Sequence, residues 1–295
     1  MEVIESRIDP GSETFRRNRE ANLRLVAELK ERLRHAAEDR SERARRRHAE
    51  QKKLPVRERI ERILDPGTPF LELSPLAAYG MYDGRVHGAG IVSGIGIVHG
   101  REFLVSGNDA MVKGGSVFPM TLQKSLREQE IVMENHLPSI ILVDSGGAYL
   151  PLQDEIFVLG GRVFYNQALI SKMGLPQICA VMGQCTAGGA YIPAMSTYTV
   201  IVKGTGGIFL GGPPLVRAAT GEVVTSDELG GADVHCSISG VADYYAEDEI
   251  HALETVRTLA GTIAPVEKTR IRTREPKPPR YDPEELYGIV PEDIR

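Results

Sequence analysis

The stretch that decides the fold is LPSIILVDSGGA at residues 137–148, a mostly apolar run that ends in a glycine turn. An apolar run of this length is typical of a strand buried on both faces of a sheet. The segment PQICAVM at 176–182, followed by GQCTAGGA at 183–190, repeats the pattern, and a helix is predicted between the strands at 161–173. Two successive βα units predict an α/β fold with two glycine turns at the ends of its strands.

Further elements are predicted on either side of this centre. Upstream, the sequence predicts a β-hairpin at 86–108 and a helix at 119–135. The paired glycines of the hairpin lack the third glycine and the opening helix of a dinucleotide-binding turn, which excludes a Rossmann site. Downstream, a strand at 199–202 and an amphipathic helix at 247–264 complete the predicted domain.

The N-terminal region is predicted to be helical. Apolar residues at helical spacing predict one amphipathic helix from Glu13 to about Gln51, and PVRERIERIL at 55–64 predicts a second helix. The many arginines favour a solvated helical face. The alternative is that one of these arginines, or Lys113, contacts a phosphate.

The C-terminal run from 267 to 280 is charged and rich in proline, which predicts a linker or an exposed tail. The predicted boundaries are therefore an N-terminal helical region at 1–67, an α/β domain at 68–264 and a linker at 265–295.

Composition and charge narrow the class of protein. The 295 residues are 42% apolar and 25% charged, the balance of a chain that folds around a core. A net charge of −5 gives no general attraction for nucleic acid. The acidic N-terminus lacks the order of a signal peptide and no run of roughly 18 apolar residues occurs, which predicts a cytoplasmic protein without a membrane span. Three cysteines without paired spacing predict neither a disulfide framework nor a bound metal.

Glycine pairs at the carboxyl ends of buried strands are suited to binding an anion through the backbone. The N–H groups of Gly146-Gly147 and of Gly188-Gly189 have no side chain to block a ligand and can point into one cleft. In such an oxyanion hole, one donor stabilises developing charge by about 2.7–4 kcal/mol. The alternative is that the glycines serve only tight strand-to-helix packing, and their occurrence on two successive units favours the oxyanion hole.

Other candidate residues have weaker support. Ser145 lacks the GxSxG context of a serine hydrolase. The pair Asp154-Glu155 is either a general acid or base or, as is more common, part of a helix cap. The pair His235-Cys236 is favoured as packing residues over metal ligands. For three tyrosines near the turns, the sequence allows either contact with a ligand or packing in the core: Tyr149, Tyr165 and Tyr191.

Linked blocks of the sequence resemble the β subunit of acyl-CoA carboxylases, nearest to the 3-methylcrotonyl-CoA and geranyl-CoA carboxylases. These blocks are KLPVRERIERILDPG at 53–67, NDAMVKGG at 108–115, LVDSGGAYLPLQDE at 142–155, FYNQA at 164–168, GQCTAGGAYIPAM at 183–195, GPPLVRAATGE at 212–222 and GGADVHC at 230–236. The blocks extend over nearly the whole chain and are highly specific together.

The resemblance implies a crotonase-like fold, built as a spiral of ββα units, and carboxyl transfer to 3-methylcrotonyl-CoA or a similar branched or unsaturated acyl-CoA in leucine catabolism. It implies that Gly146 and Gly147 form the oxyanion hole for the enolate oxygen. The acyl-CoA cleft would be lined by Ser145, Ala148, Gly188, Gly189 and Ala190. The resemblance further implies that the cofactor is biotin on a partner protein and that its ureido nitrogen removes the substrate proton, so neither a protein base nor a metal is implied.

Two departures from the family pattern bear on function. Fewer residues than in the relatives separate QDE at 153–155 from FYNQA at 164–168, which leaves the acyl group open. The end of the chain, 281–295, resembles the connector to a second half that provides the biotin site. The expected partners are therefore that C-terminal half, a biotin carboxylase, a biotin carrier and further copies of the chain. The alternatives are a decarboxylase subunit of the same architecture and a non-catalytic assembly subunit.

Overall fold

The chain forms two compact units in the computed structural model, which describes residues 5–264 and 274–293. The described residues of Met1–Glu38 and Glu267–Arg295 form the smaller unit, and those of Asp39–Val266 form the larger one. The site is built in the larger unit.

This division differs from the predicted boundaries after residues 67 and 264. The helix at 56–63 was predicted to belong to a separate N-terminal region, but its Val56, Ile60 and Ile63 are buried in the core of the larger unit. The predicted linker is also more ordered than expected, because a short helix, Leu286–Ile289, forms near its end. Residues 265–273 of that linker lie outside the described residues.

The smaller unit pairs the first helix, α1 (Glu13–Glu38), with the C-terminal helix Leu286–Ile289. The Asn18 side-chain amide donates a hydrogen bond of 3.2 Å to the carbonyl of Gly288, and the Asn22 amide donates one of 3.0 Å to that of Tyr287. A Cβ at Gly288 would lie 2.3 Å from the Phe15 ring, so only glycine permits this close packing.

The helix predicted from Glu13 to Gln51 is two helices. The first ends at Glu38, and α2 (Glu42–Glu50) begins after Ser41. The Ser41 hydroxyl accepts a hydrogen bond of 3.2 Å from the Ala44 N–H and so caps the second helix. Helical propensity continues across the break, which is why the periodic pattern alone did not reveal it.

The sheet of the larger unit contains eight strands within the described residues. They are β1 (Leu71–Glu72), β2 (Ile91–Val98), β3 (Arg101–Asn108), β4 (Ser139–Ser145), β5 (Gln177–Thr186), β6 (Tyr198–Val202), β7 (Gly207–Phe209) and β8 (Tyr244–Ala246). The order is β1-β2-β3-β4-β5-β6-β8, with β7 paired to the end of β5. The first three strands are antiparallel, and every pairing from β3 to β8 is parallel.

Helices connect the parallel strands, as the α/β prediction requires. The remaining α-helices among the described residues of this unit are α3 (Val56–Ile63), α4 (Pro119–Asn135), α5 (Gln153–Lys172), α6 (Tyr191–Ala194), α7 (Pro213–Thr220), α8 (Ser226–Gly230), α9 (Ala232–Val234) and α10 (Glu249–Thr262). The bounds of α4 are those predicted. Helix α5 begins eight residues before the predicted start at 161, because Gly160 and Gly161 lie inside it rather than at its beginning.

The core explains why the central strands are apolar throughout. Ile140, Leu142, Ile178 and Ala180 are fully buried, between helices on either face of the sheet. One cluster joins these strands to α3 and α10, and a second cluster lies on the opposite face and contains Val143, Cys179 and Val181. Burial on both faces holds β4 and β5, and hence their carboxyl ends, in fixed positions.

A buried acid on α4 gives this unit a specific pH dependence. Burial raises the pKa of Glu128, although the nearby Lys124 ammonium opposes the shift. The folded state therefore holds the proton more tightly than the unfolded state. The contribution to stability is complete below the ordinary carboxyl pKa of about 4.3 and is lost as the pH rises from there toward the raised pKa.

Glu128→Gln keeps the side chain neutral, so we expect this variant to gain stability relative to wild type as the pH rises from about 4 to 7. Urea unfolding at several pH values measures the difference in free energy of unfolding. A difference that stays constant with pH contradicts the assignment.

Candidate active site

The two predicted glycine turns lie side by side, because β4 and β5 are adjacent parallel strands. Ser145 at the end of β4 pairs with Cys185 on β5, and each strand then enters its turn. A Cβ at Gly147 in the first turn would lie 3.4 Å from the carbonyl oxygen of Thr186, the residue before the second turn. The structure therefore brings together the two turns that the sequence predicted to act as a pair.

The first turn is closed by hydrogen bonds to a neighbouring loop. The Gly146 N–H donates to the Gly114 carbonyl at 3.1 Å. The Gly147 N–H donates to the Ser145 hydroxyl oxygen at 3.1 Å, and that hydroxyl donates to the Gly115 carbonyl at 2.7 Å. Both amides that were predicted to form the oxyanion hole are therefore engaged within the chain.

Ala148 presents a different amide in the same turn. The residues on either side of Ala148 both hydrogen-bond to Val117. The Val117 N–H donates to the Gly147 carbonyl, and the Val117 carbonyl accepts from the Tyr149 N–H, each at 2.9 Å. In an extended backbone, the N–H of the intervening residue points to the opposite side. The Ala148 N–H therefore points away from Val117, and it has no acceptor among the described residues.

The second turn departs from ordinary backbone geometry at its first residue. Ala187 has a φ of +54°, a left-handed conformation that is uncommon for a residue with a side chain. A single turn of helix, Ala187–Ala190, leads from it directly into α6. Gly189 faces open space, whereas the Ala190 side chain is buried in the core. A strained backbone that the fold maintains is commonly found at functional sites.

A large cavity of about 1200 Å³ opens beside the first turn. Ser145 and Gly146 line it, but Gly188, Gly189 and Ala190 do not. Six basic side chains line the cavity but only two acidic ones, Asp39 and Asp144. The basic residues are Arg40, Arg43, Arg47, Lys53, Arg85 and Lys113. The cavity is therefore a strongly cationic recess, in contrast to the net negative charge of the chain.

Two of the arginines of α2 reach this cavity from one face of the helix. Arg43 and Arg47 are four residues apart and line the cavity, whereas Arg46 is exposed and does not. The neighbouring Arg40 is held differently, since its Nε donates to the Asp109 carboxylate at 2.8 Å and both side chains are almost fully buried. The sequence predicted a phosphate contact from this region only as an alternative to a solvated face.

A chain of four buried charges lies beneath the first turn. The Asp144 carboxylate accepts a hydrogen bond of 2.9 Å from Lys53 Nζ and two of 3.1 Å from the Arg59 guanidinium. Arg59 also donates to Glu249, with its Nη2 at 2.6 Å from Oε1. The side chains of all four residues are less than one tenth exposed. Opposite charges alternate along the chain, which is how buried ions avoid the full penalty of desolvation.

The other candidate residues lie outside the cavity. Asp154 and Glu155 are exposed in the first turn of α5, where acidic residues stabilise a helix. His235 is held at both ring nitrogens, by the Ile208 carbonyl at 2.7 Å and the Ser239 hydroxyl at 2.8 Å. Burial raises the pKa of the Cys236 thiol above its ordinary value, so this thiol stays protonated near neutral pH.

The three tyrosines have different surroundings. Tyr149 stacks on Phe118 with ring centres 4.5 Å apart, which is a packing role. Tyr165 and Tyr191 are about half exposed, and Tyr191 also contacts the Phe164 ring at 5.4 Å. None of the three lines the cationic cavity. No helix in the part of the chain that the structure describes is long and apolar enough to span a bilayer.

Comparison with known proteins assigns the family. The family described as "Carboxyl transferase domain" matches residues 47–295. The chain belongs to this family. It is 56% identical to the biotin-dependent 3-methylcrotonyl-coenzyme A carboxylase beta1 subunit of Mycobacterium tuberculosis, over 92% of this chain and 52% of that protein. It is 48% identical to the mitochondrial methylcrotonoyl-CoA carboxylase beta chain of Dictyostelium discoideum, over 99% of this chain and 50% of that protein.

Structural comparison supports the same assignment. The crystal structure of the P. aeruginosa geranyl-CoA carboxylase beta subunit superimposes with a TM-score of 0.86 at 42% identity, covering 99% of this chain and 54% of that one. The fold of this carboxyl transferase domain is crotonase-like α/β, as the resemblance implied. The chain spans about half the length of the relatives it matches.

Sequence reasoning missed the buried charges beneath the first turn of this carboxyl transferase domain. Lys53 and Arg59 stand in the block KLPVRER, and Glu249 lies 190 residues further along the chain, near the end of the domain. The alternation of charge exists only in three dimensions, so no local spacing reveals it. One indication was present: Arg59 falls on the apolar face of α3, between Val56, Ile60 and Ile63.

Proposed function

We propose that this chain binds an acyl-CoA and stabilises the enolate oxygen of its thioester during carboxyl transfer from carboxybiotin. The observation that carries the proposal is the position of the two glycine turns, side by side at the ends of β4 and β5 and next to a cationic cavity. The relatives named for 3-methylcrotonyl-CoA and geranyl-CoA support a branched, unsaturated acyl group.

Within this proposal, the first turn donates through Ala148. Gly146 and Gly147, which the resemblance named as the oxyanion hole, already donate to Gly114 and Ser145 and so give the turn its shape. The Ala148 N–H has no such partner among the described residues and points away from Val117. The second turn, Gly188-Gly189-Ala190, provides the opposite wall of the acyl cleft. Fixed backbone donors of this kind stabilise charge without reorganising during the reaction.

The cationic cavity is proposed to hold the phosphates of CoA. A nucleotide with several phosphate groups needs positive groups near it, and Arg43, Arg47 and Lys113 line the same cavity as Ser145 and Gly146. A CoA ester placed in this way would extend its thioester from the cavity toward the first turn. In the proposed site, the CoA phosphates therefore lie against α2 and the thioester carbonyl oxygen lies against the first turn.

Biotin would be supplied by a partner protein, and the chain would act with a C-terminal carboxyltransferase half, a biotin carboxylase and further copies of itself in the cytoplasm. The support is that the relatives are named as subunits of biotin-dependent enzymes. Carboxybiotin would provide the CO2, and its ureido nitrogen would take the substrate proton. The backbone turns are then required only to hold the oxyanion.

The direct test is carboxylation by the assembled complex. The chain is combined with the C-terminal half, biotin carboxylase and carrier, and supplied with ATP, labelled bicarbonate and 3-methylcrotonyl-CoA. We expect label in the acyl-CoA product. The proposal is contradicted if the complex binds acyl-CoA esters but carboxylates none of them.

The same assay separates a rival reaction. A decarboxylase subunit of the same fold would stabilise the same enolate but move CO2 onto biotin. It would therefore release CO2 from a carboxylated acyl-CoA and would not incorporate label when ATP is supplied. The second rival, a non-catalytic assembly subunit, is tested by substitution at Gly147.

A further inference from the structure

One of the four buried charges beneath the first turn contacts both strands that carry the site. Asp144 is the residue before Ser145 on β4, so its backbone leads directly into the first turn. Its side chain reaches sideways to β5, where a Cβ at Gly183 would lie 1.9 Å from the carboxylate Oδ1. Gly183 therefore makes room for the carboxylate.

The pairing of the two strands changes at this contact. Val143 pairs with Val181, but Ser145 pairs with Cys185, so two steps along β4 correspond to four steps along β5. The extra residues on β5 form a bulge that contains Gly183. A bulge of this kind changes the direction of a strand and so the position of the segment after it. Here that segment is the second glycine turn.

The backbone of Asp144 also holds the loop that closes the first turn. A Cβ at Gly115 would lie 2.1 Å from the Asp144 carbonyl oxygen, so the loop packs directly on this residue. The carbonyls of Gly114 and Gly115 in that loop accept from Gly146 and Ser145. Asp144 is thus in contact with the first turn, with the loop that closes it and with the bulge before the second turn.

Lys53 and Arg59 fix the carboxylate in this position. Lys53 Nζ lies 2.9 and 3.1 Å from its two oxygens, and Arg59 holds Oδ2 through two nitrogens from the side of the core. Arg59 is fully buried and also donates to Glu249, which does not contact Asp144 itself. These charge-assisted hydrogen bonds leave the carboxylate little freedom to change rotamer.

We infer that Asp144 is a positioning residue for the oxyanion site: its carboxylate, held by Lys53 and Arg59, sets the offset between the two glycine turns. The inference rests on the proposed function. It assigns the carboxylate no contact with the substrate. Loss of the charge is expected to misplace the Ala148 donor relative to the second turn, and so to weaken polarisation of the thioester carbonyl more than binding of CoA.

The test compares Asp144→Asn with Glu249→Gln in the assembled complex. Each variant removes one carboxylate charge from the same buried network, but only Asp144 touches the strand ends. The probe is 3-methylcrotonyl-CoA with and without ¹³C at the thioester carbon. Isotope-edited infrared spectroscopy measures the carbonyl stretching frequency of the bound ligand, and a titration gives its Kd.

In wild type, binding is expected to lower the carbonyl frequency. Asp144→Asn should lose most of this shift while its Kd changes less than about threefold, and Glu249→Gln should keep the shift. Retention of the full shift in Asp144→Asn, or equal loss in both variants, overturns the inference and leaves the proposed function standing. Absence of saturable binding to wild type contradicts the proposed function, and the inference with it.

A milder variant covers the case in which Asp144→Asn does not fold. Lys53→Gln removes one of the two cations and leaves the pair of Asp144 with Arg59 intact. A partial loss of the carbonyl shift is expected for Lys53→Gln, and an unchanged frequency shift overturns the inference.

Discussion

Replacing Gly147 by alanine is expected to lower the rate of carboxyl transfer by at least about 100-fold, the usual effect of losing an oxyanion donor. Gly147 has a φ of +88°, which a residue with a Cβ rarely adopts, and that Cβ would face the Thr186 carbonyl at 3.4 Å. The turn would have to relax, and the neighbouring Ala148 N–H would move with it. Steady-state kinetics with the assembled complex measure the change.

The matched control for this substitution is Gly160→Ala. Gly160 lies inside α5, and the methyl group of an alanine there would meet no neighbouring side chain within 4 Å. Alanine also suits a helix interior better than glycine, by up to about 1 kcal/mol. Normal transfer by the Gly160 variant and loss by the Gly147 variant support a role for the turn. Full activity with Gly147→Ala would instead favour the non-catalytic assembly subunit.

Removing two arginines from α2 is expected to weaken binding of acyl-CoA. The double variant Arg43→Ala and Arg47→Ala takes two positive charges from the cavity wall, and we expect its Kd for 3-methylcrotonyl-CoA to rise about 10- to 100-fold at low salt. The effect should shrink as ionic strength increases. Isothermal titration at several salt concentrations measures it.

Two controls show whether the phosphates are responsible. Arg46→Ala removes an exposed arginine from the same helix that does not line the cavity, and it should leave the Kd unchanged. A pantetheine thioester carries the acyl group without the nucleotide phosphates, so its binding should be insensitive to the double substitution. Equal weakening of both ligands would place the CoA phosphates elsewhere.

The sequence predicts the centre of this fold well, because its signals are local there. The bounds of α4 and the hairpin of β2 and β3 follow from caps, apolar periodicity and a turn sequence within a few residues. Strands β7 and β8 were missed, since three residues are too few to establish an alternating pattern. The break before Ser41 was missed because helix formers continue on both sides of it.

The sequence predicted the two glycine turns of the site, but it did not predict which of their amides are already hydrogen-bonded within the chain. Paired glycines after apolar strands indicated backbone donors, and the two turns do lie together. Which amide is available depends on the carbonyls of Gly114 and Gly115, whose loop lies about 30 residues earlier in the chain. The four buried charges beneath the first turn come from separate segments of the chain, and only the folded chain brings them into contact.

The most direct test of the central claim is a crystal structure of the chain with an acyl-CoA bound. We predict that the thioester oxygen lies about 2.7–3.1 Å from the Ala148 nitrogen, within hydrogen-bonding distance of a working oxyanion donor. We also predict that the phosphates lie against Arg43 and Arg47. A thioester oxygen placed away from both glycine turns, with the phosphates outside the cationic cavity, would contradict the proposed site.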